Sequence, residues 1–384
     1  MNLKKLILYS SVFALQGLSN AVIPVLPELA GESGNGSIAS NLLFSGYFVG
    51  ALLALVPFGV LADKIGNTRV AGFGILLTFF SGLVISFSTS ILVLGIARFL
   101  EGIACGAFFP AAFSMLTEWK DTQRHLGEFN FLLNAGLAAG VLFSGIFAEI
   151  GIKTAIYMFT FLIGLSSILL LSQGKTLLTS EEYLRKSSFQ ERNTHRNPSF
   201  IYSFHSELSK YLKRAWDSVF KTNFGKIWGI SVLLYGATGV LTANYADYSA
   251  DFLTKPELGL AIAASYLAAM LSSLIVGRIN VNYKIIVKTG ILLAVAGILL
   301  STEMPVLAFS LIGAGGGTAI VGLITAVSKI SSSGFAMGFF NTGIYAGLGL
   351  GPVFGSFFLE PLGYETVFIG SALALFTMYF VRLD

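Results

Sequence analysis

The stretch Gly59-Val-Leu-Ala-Asp63-Lys64-Ile-Gly66-Asn67-Thr68-Arg69 separates two long apolar runs, one ending near Ala62 and the next beginning near Val70. Asp63, Lys64 and Arg69 are charged, while the flanking runs carry almost no charge. Gly59 and Gly66 can adopt backbone angles that other residues avoid. The stretch therefore reads as a tight turn between two membrane helices.

Working outward, the composition agrees. Of 384 residues, 54% are hydrophobic, 11% are charged and 34 are Phe, whereas a soluble chain carries about 25% charged residues. Apolar runs of roughly 18 residues or more mark spanning helices. Twelve are found, near 5–27, 39–62, 70–90, 92–115, 126–148, 153–172, 226–247, 258–277, 285–302, 305–327, 334–358 and 364–381. No segment between them is long enough for a soluble catalytic domain. The expected class is an all-α membrane protein of twelve transmembrane helices in two six-helix bundles.

Charge gives the orientation. With the N-terminus in the cytoplasm, all but three of the 24 Lys and Arg residues fall on the inner side; Lys153 and Lys255 fall outside and Arg98 lies within a span. Glu28, Glu32, Asp247, Asp251, Glu257, Glu303, Glu360 and Glu365 fall in the outer loops. The positive-inside rule then puts both termini in the cytoplasm of a multi-pass cell-membrane protein. Lys4 and Lys5 before an apolar run resemble a signal peptide, but the run continues to Pro24 and Pro27 without a small-residue cleavage site. The sole cysteine, Cys105, rules out an internal disulfide and a multi-cysteine zinc site. His125, His195 and His205 stand apart, so neither a metal nor a cofactor is expected, and no pattern points to nucleic acid.

Polar residues inside spans are the functional candidates. Gln16 and Asn20 share a face of the first span, one turn apart. Pro24 and Pro27 near its outer end either kink or end it. Arg98 and Glu101 in the fourth span are three residues apart, so they meet on one face and can neutralise each other; Glu101 can also change protonation state. A purely structural ion pair is the competing account. The seventh span ends in Asn244, Asp247 and Asp251, which read as an outer gate or a solvated loop rather than a catalytic metal site. Gly313 and Gly315–Gly317 lack the strand and lysine of a phosphate loop and are read as helix packing.

Between Gln173 and Phe224 the composition changes to charged, Ser-rich sequence. Within it Phe204, Leu208, Tyr211, Leu212, Ala215, Val219 and Phe220 keep a helical apolar face among Lys210, Lys213, Arg214 and Lys221, as an amphipathic helix on the inner membrane surface would. The division expected is an N-terminal bundle at 1–172, a cytoplasmic linker at 173–225 and a C-terminal bundle at 226–384. A shift of 211 residues superposes the halves, with Gly102 on Gly313, Asn130 on Asn341, Gly136 on Gly347, Gly140 on Gly351 and Gly66 on Gly277. Repeated halves around a midplane site suit a secondary transporter.

The turn at 59–69 resembles the loop signature of the major facilitator superfamily, G-x-L-a-D-r-x-G-r-k. Gly59, Leu61, Ala62, Asp63 and Gly66 match; Lys64 is a like-charge replacement; Asn67 and Thr68 depart from it, with Arg69 one place late. The run Arg98 to Gly102 resembles the family's fourth-helix motif R-x-x-q-G, with Glu101 where glutamine is common. Gly136 and Gly140 follow the exporter motif of the fifth helix, but Val141 stands in place of its proline; Gly347, Gly351, Pro352 and Gly355 carry the full Gly-Pro pattern in the eleventh. The resemblance implies alternating access, with Arg98 and Glu101 in proton coupling. It also implies that Asp63, with Lys64 and Arg69, latches the inner gate against the N-capping run Ser331-Ser332-Ser333. Gln16, Asn20, Asn134, Tyr235, Asn341 and Tyr345 would line the cavity. A monomeric, proton-coupled exporter of a small organic molecule is expected, with an ion-coupled importer, a facilitator and, more remotely, a membrane enzyme as alternatives.

Overall fold

The computed structural model describes residues 3–31, 36–117, 119–120, 122–170, 172, 209–210, 213, 224–279, 281–330 and 334–383. Most of the linker, including its expected amphipathic face, and Ser331–Ser333 lie outside the described residues.

The first span begins as α1 (Leu3–Ala21), passes through a tighter turn at Ile23–Val25 and ends in a short helix, Leu26–Ala30. Pro24 and Pro27 cannot donate backbone hydrogen bonds, so they break the ladder here without ending the span. Then follow α2 (Gly36–Ile65), α3 (Asn67–Phe87), α4 (Ile91–Thr117), α5 (Thr122–Phe147) and α6 (Thr154–Leu170). The second half contains α7 (Phe224–Tyr248), α8 (Lys255–Val276), α9 (Tyr283–Leu300) and α10 (Pro305–Ile330). A last helical run, Gly334–Thr377, breaks at Gly363 (φ 75°, ψ 165°) into limbs 334–362 and 364–377, here α11 and α12. Among the described residues ten helices are long and apolar enough to span a bilayer; counting both limbs of the last run and the shorter α6 gives the twelve expected.

Backbone satisfaction explains why helices fill the chain: in lipid, every N–H and C=O needs an internal partner. Where α8 and α9 begin, side chains supply the missing acceptors. Thr254 accepts from Glu257 N at 3.4 Å, and Asn282 accepts from Lys284 N at 3.0 Å.

One expectation about the turn needs correction. Only Gly66 takes a positive φ there, 104°, whereas Gly59 lies inside α2 with no positive φ. Helical hydrogen bonding continues through Ile65, so a single residue joins α2 to α3.

In the first half α4 packs on α2 and α3, and α1 packs on α5; in the second, α10 packs on α8 and α9, and α7 packs on the 334–377 run. Adding six to each helix number converts the first set of pairings into the second, as the sequence repeat implies. The halves meet where α5 crosses α8 and α2 crosses the 334–377 run. Phe80, Phe87, Phe161, Phe354, Phe357 and Phe380 are exposed on the flanks, the surface a bilayer would cover.

Candidate functional site

The polar side chains of the first half converge on α4. Arg98 Nη1 and Glu101 Oε2 are 2.6 Å apart and both residues are buried. Helical spacing of three places them on one face. Arg98 Nε also donates to Leu43 O of α2 at 3.2 Å, and the guanidinium lies 4.9 Å from the ring centre of Tyr47. Glu101 Oε1 is buried without a hydrogen-bond partner among the described residues. The pair is thus neutralised on one side only, in a setting where an unpaired carboxylate oxygen is costly.

Tyr47 extends this cluster. Its hydroxyl donates to Gln16 Oε1 at 3.4 Å, which links α2 to α1. Across the middle of the molecule, Cys105 Sγ and the Tyr345 hydroxyl of α11 are 3.7 Å apart, and the Tyr345 ring lies 6.2 Å from that of Phe48. Cys105 is fully buried. The α4 cluster therefore touches the opposite half through Tyr345.

The remaining cavity candidates are placed less centrally. Asn20 is buried, donates to Leu137 O of α5 at 3.3 Å and faces Tyr266 of α8. Asn134 is half-buried and donates to Asn130 O of its own helix at 2.9 Å. Tyr235 is half-buried in the larger apolar cluster, and Asn341 is exposed. An apolar groove of about 430 Å³ between α7, α11 and α12 has exposed Leu350, Phe354 and Phe358 on its rim, and lies on the lipid-facing flank rather than at this cluster.

The named glycines sit at helix crossings. A Cβ on Gly136 would lie 2.5 Å from Phe13 O, and one on Gly347 would lie 2.5 Å from Val232 O. Gly140 approaches Gly17, Gly351 approaches Gly236, Gly355 faces Val240, and Pro352 packs by Gly239. Backbones this close require the absence of a side chain.

At the end bearing the chain termini, Lys5 Nζ meets Glu128 at 2.7 Å and joins α1 to α5. In the turn, Asn67 donates to Ser114 Oγ of α4 at 2.9 Å and Arg69 donates to Ile65 O at 3.4 Å. Asp63 is exposed at the last turn of α2, beside half-buried Lys64. The capping run to which the latch was assigned lies outside the described residues.

The opposite, distal end is closed by contacts between the halves that sequence reasoning missed. Asn41 of α2 donates to Asn244 Oδ1 of α7 at 2.5 Å, and Asn244 donates back to Asn41 Oδ1 at 3.1 Å; both are buried. Lys255 Nζ meets Glu28 at 2.6 Å and Pro24 O at 2.9 Å. Nearby, α5 and α8 touch at Gly145 and Gly259, where a Cβ on the first would be 3.0 Å from the Cα of the second. Asn244 was singled out in the sequence as part of an outer gate, but its partner Asn41, 203 residues away in an apolar run, was not. Lys153, another distal residue, donates to Ile85 O and Ser88 O at the carboxyl end of α3, and burial lowers its pKa.

Comparison with known proteins adds four findings. The Major Facilitator Superfamily family model matches residues 8–250 and 227–383. An uncharacterized MFS-type transporter of Methanocaldococcus jannaschii is 25% identical over 369 residues, 92% of this chain and 90% of that one. A multi-drug resistance efflux pump PmrA homolog of Lactococcus lactis is 29% identical over 189 residues, 47% of this chain and 45% of its own. Among solved structures, a mutant of the nucleoside transporter NupG superposes with a TM-score of 0.69 at 14% identity, covering 99% of this chain and 98% of that one, a likeness of fold.

Proposed function

Because the chain belongs to the major facilitator superfamily and is a multi-pass membrane transporter rather than an enzyme, we propose that it exports a small organic molecule in exchange for protons. The observation that carries this reading is the buried Arg98–Glu101 pair, with one carboxylate oxygen unpartnered among the described residues and Tyr345 of the other half one contact away through Cys105. Support for efflux comes from the efflux-pump relative, from Pro24 and Pro27, and from the Gly351-Pro352 pattern of α11.

Charged Glu101 is held by Arg98 through Oε2 and offers its Oε1, unpartnered among the described residues, to a donor group of the substrate, while Arg98 is retained by Leu43 O and the Tyr47 ring. A proton taken up by Glu101 from the outer side removes that acceptor, so proton and substrate exclude each other and the substrate is released. Loss of the proton to the cytoplasm restores the acceptor for the next substrate molecule. Gln16, Asn20, Asn134, Tyr235, Asn341 and Tyr345 supply neutral hydrogen-bonding groups, which suits a substrate of low charge.

The distribution of basic residues orients the protein in the cell membrane with both termini in the cytoplasm and the distal end outside. A monomer suffices, since both halves are in one chain. The halves 1–172 and 226–384 rock against each other with 173–225 between them, and Asp63, with Lys64 and Arg69, latches the cytoplasmic end against the start of α11.

The test is reconstitution in liposomes containing a pH-sensitive dye, with a screen of small-molecule classes. Substrate-dependent proton flux that is lost in Glu101→Gln is the expected result. Transport without proton flux, unchanged in that variant, would overturn antiport and leave a facilitator or another coupling ion.

A further inference from the structure

The second half is charged unevenly at the end bearing the chain termini. Lys226, Arg278, Lys284, Lys288, Lys329 and Arg382 lie there, whereas among the described residues of that half every Asp and Glu falls toward the distal end. The first half differs. Asp63 and Glu128 share this end with its cations, and Glu128 holds both Lys5 and Arg124. A general inward bias of Lys and Arg accounts for the cations of both halves, but not for the missing counter-charge of one.

Ring contacts gather four of these cations into one patch. Lys329 Nζ of α10 lies 4.5 Å from the ring centre of Tyr283, at the start of α9. Lys288 Nζ of α9 lies 4.8 Å from that of Tyr379, in the turn Met378–Phe380 that follows α12. Lys284 precedes Lys288 by one helical turn and shares its face, and Arg382 follows Tyr379 by three residues. A tyrosine ring holds an ammonium in place through its quadrupole, yet leaves its charge unneutralised and its N–H donors free. Among the described residues none of the four meets a carboxylate. Exposed apolar side chains carry the patch into the bilayer. Ile285 and Leu292 flank Lys288 on the outer face of α9, and Leu373 and Phe380 stand along α12 and its turn, against which α9 packs. A soluble anion has no use for such walls, whereas a phospholipid lays acyl chains against them.

We propose that the surface where α9 meets α12 binds the headgroup of an anionic phospholipid, in the leaflet at the end bearing the termini. The lipid phosphate sits between Lys284 and Lys288, while Lys329 and Arg382 add to the positive field around it. The acyl chains lie along Ile285, Leu292 and Leu373. A zwitterionic headgroup is disfavoured, because its ammonium meets further cations and no described carboxylate. The inference rests on the membrane setting alone, and on neither proton coupling nor the direction of transport.

The experiment is native mass spectrometry of the full-length protein released from detergent micelles, with dioleoyl phosphatidylglycerol or dioleoyl phosphatidylethanolamine added at equal concentration. Phosphatidylglycerol should be retained several-fold more. The double variant Lys284→Gln with Lys288→Gln should lose that preference, and Lys284→Arg with Lys288→Arg should keep it. Lys120→Gln with Arg124→Gln removes the same charge from exposed positions of the first half and should leave retention unchanged. Equal retention of the two lipids, or an equal fall in the first-half variant, would overturn the proposal. Displacement of the lipid by an equimolar amount of its chain-free headgroup, glycerophosphoglycerol, would also overturn it, by making the site one for a soluble anion.

Discussion

A guanidinium and a carboxylate 2.6 Å apart inside a membrane span have consequences that differ under single and double substitution. Arg98→Ala leaves Glu101 buried and uncompensated and should cost about 3–5 kcal/mol, read as a lower melting temperature in detergent. Replacing both residues by leucine should recover most of that stability while proton flux stays absent. Recovery of flux together with stability would reduce the pair to a packing device. At this scale the sequence was most informative where partners share a helix, since a spacing of three fixes a common face whatever the rest of the fold does. Tyr47 was not legible, because an aromatic residue in an apolar run looks like any other core residue until α2 is laid against α4. The Asn41–Asn244 pair was hidden for the same reason, on a larger span of chain.

The helices are set by where backbones can approach. Gly136 and Gly59 make a controlled comparison: an added Cβ would be 2.5 Å from a carbonyl oxygen at the first and 3.8 Å from Pro110 Cβ at the second. Gly136→Ala should therefore destabilise by about 1–3 kcal/mol through overpacking of α1 on α5. Gly59→Ala should be neutral, or stabilising by about 0.5–1 kcal/mol as expected for a helical glycine. Gly66→Ala falls at φ 104° and should cost about 1–2 kcal/mol. Thermal unfolding of the three variants checks the order, and equal costs at 59 and 136 would refute the close-approach account. Helix existence was readable from apolar run length, but ends were not: α2 and α3 extend into the charged stretch until one residue separates them. Charge signals the membrane surface, whereas helices stop where hydrogen bonding fails. The Gly363 break was readable only as a gap between two apolar runs, because a glycine's φ has no side-chain signature.

For the whole molecule, the informative asymmetry is that the described contacts between halves include a closed distal end. Gly145→Leu inserts a side chain where α5 meets α8 and should hold that end apart, so that cysteines introduced at distal positions react faster with a polar thiol reagent. Unchanged labelling would place the pivot elsewhere. The helix-by-helix repeat makes the pairing of α5 with α8 the counterpart of that of α2 with α11, but neither the pairing nor which end is shut was legible, because both depend on how the two halves are laid against each other, which no residue pattern encodes. The two distal lysines carry one more consequence. Lys153 and Lys255 both turn their ammonium groups inward, onto carbonyls and Glu28, while Glu149, Asp251, Glu257, Glu303, Glu360 and Glu365 are exposed. Viewed from the medium, that end is an electronegative lens: it concentrates positively charged solutes over the mouth before any contact is made, and loses this power as added salt shortens the reach of its field.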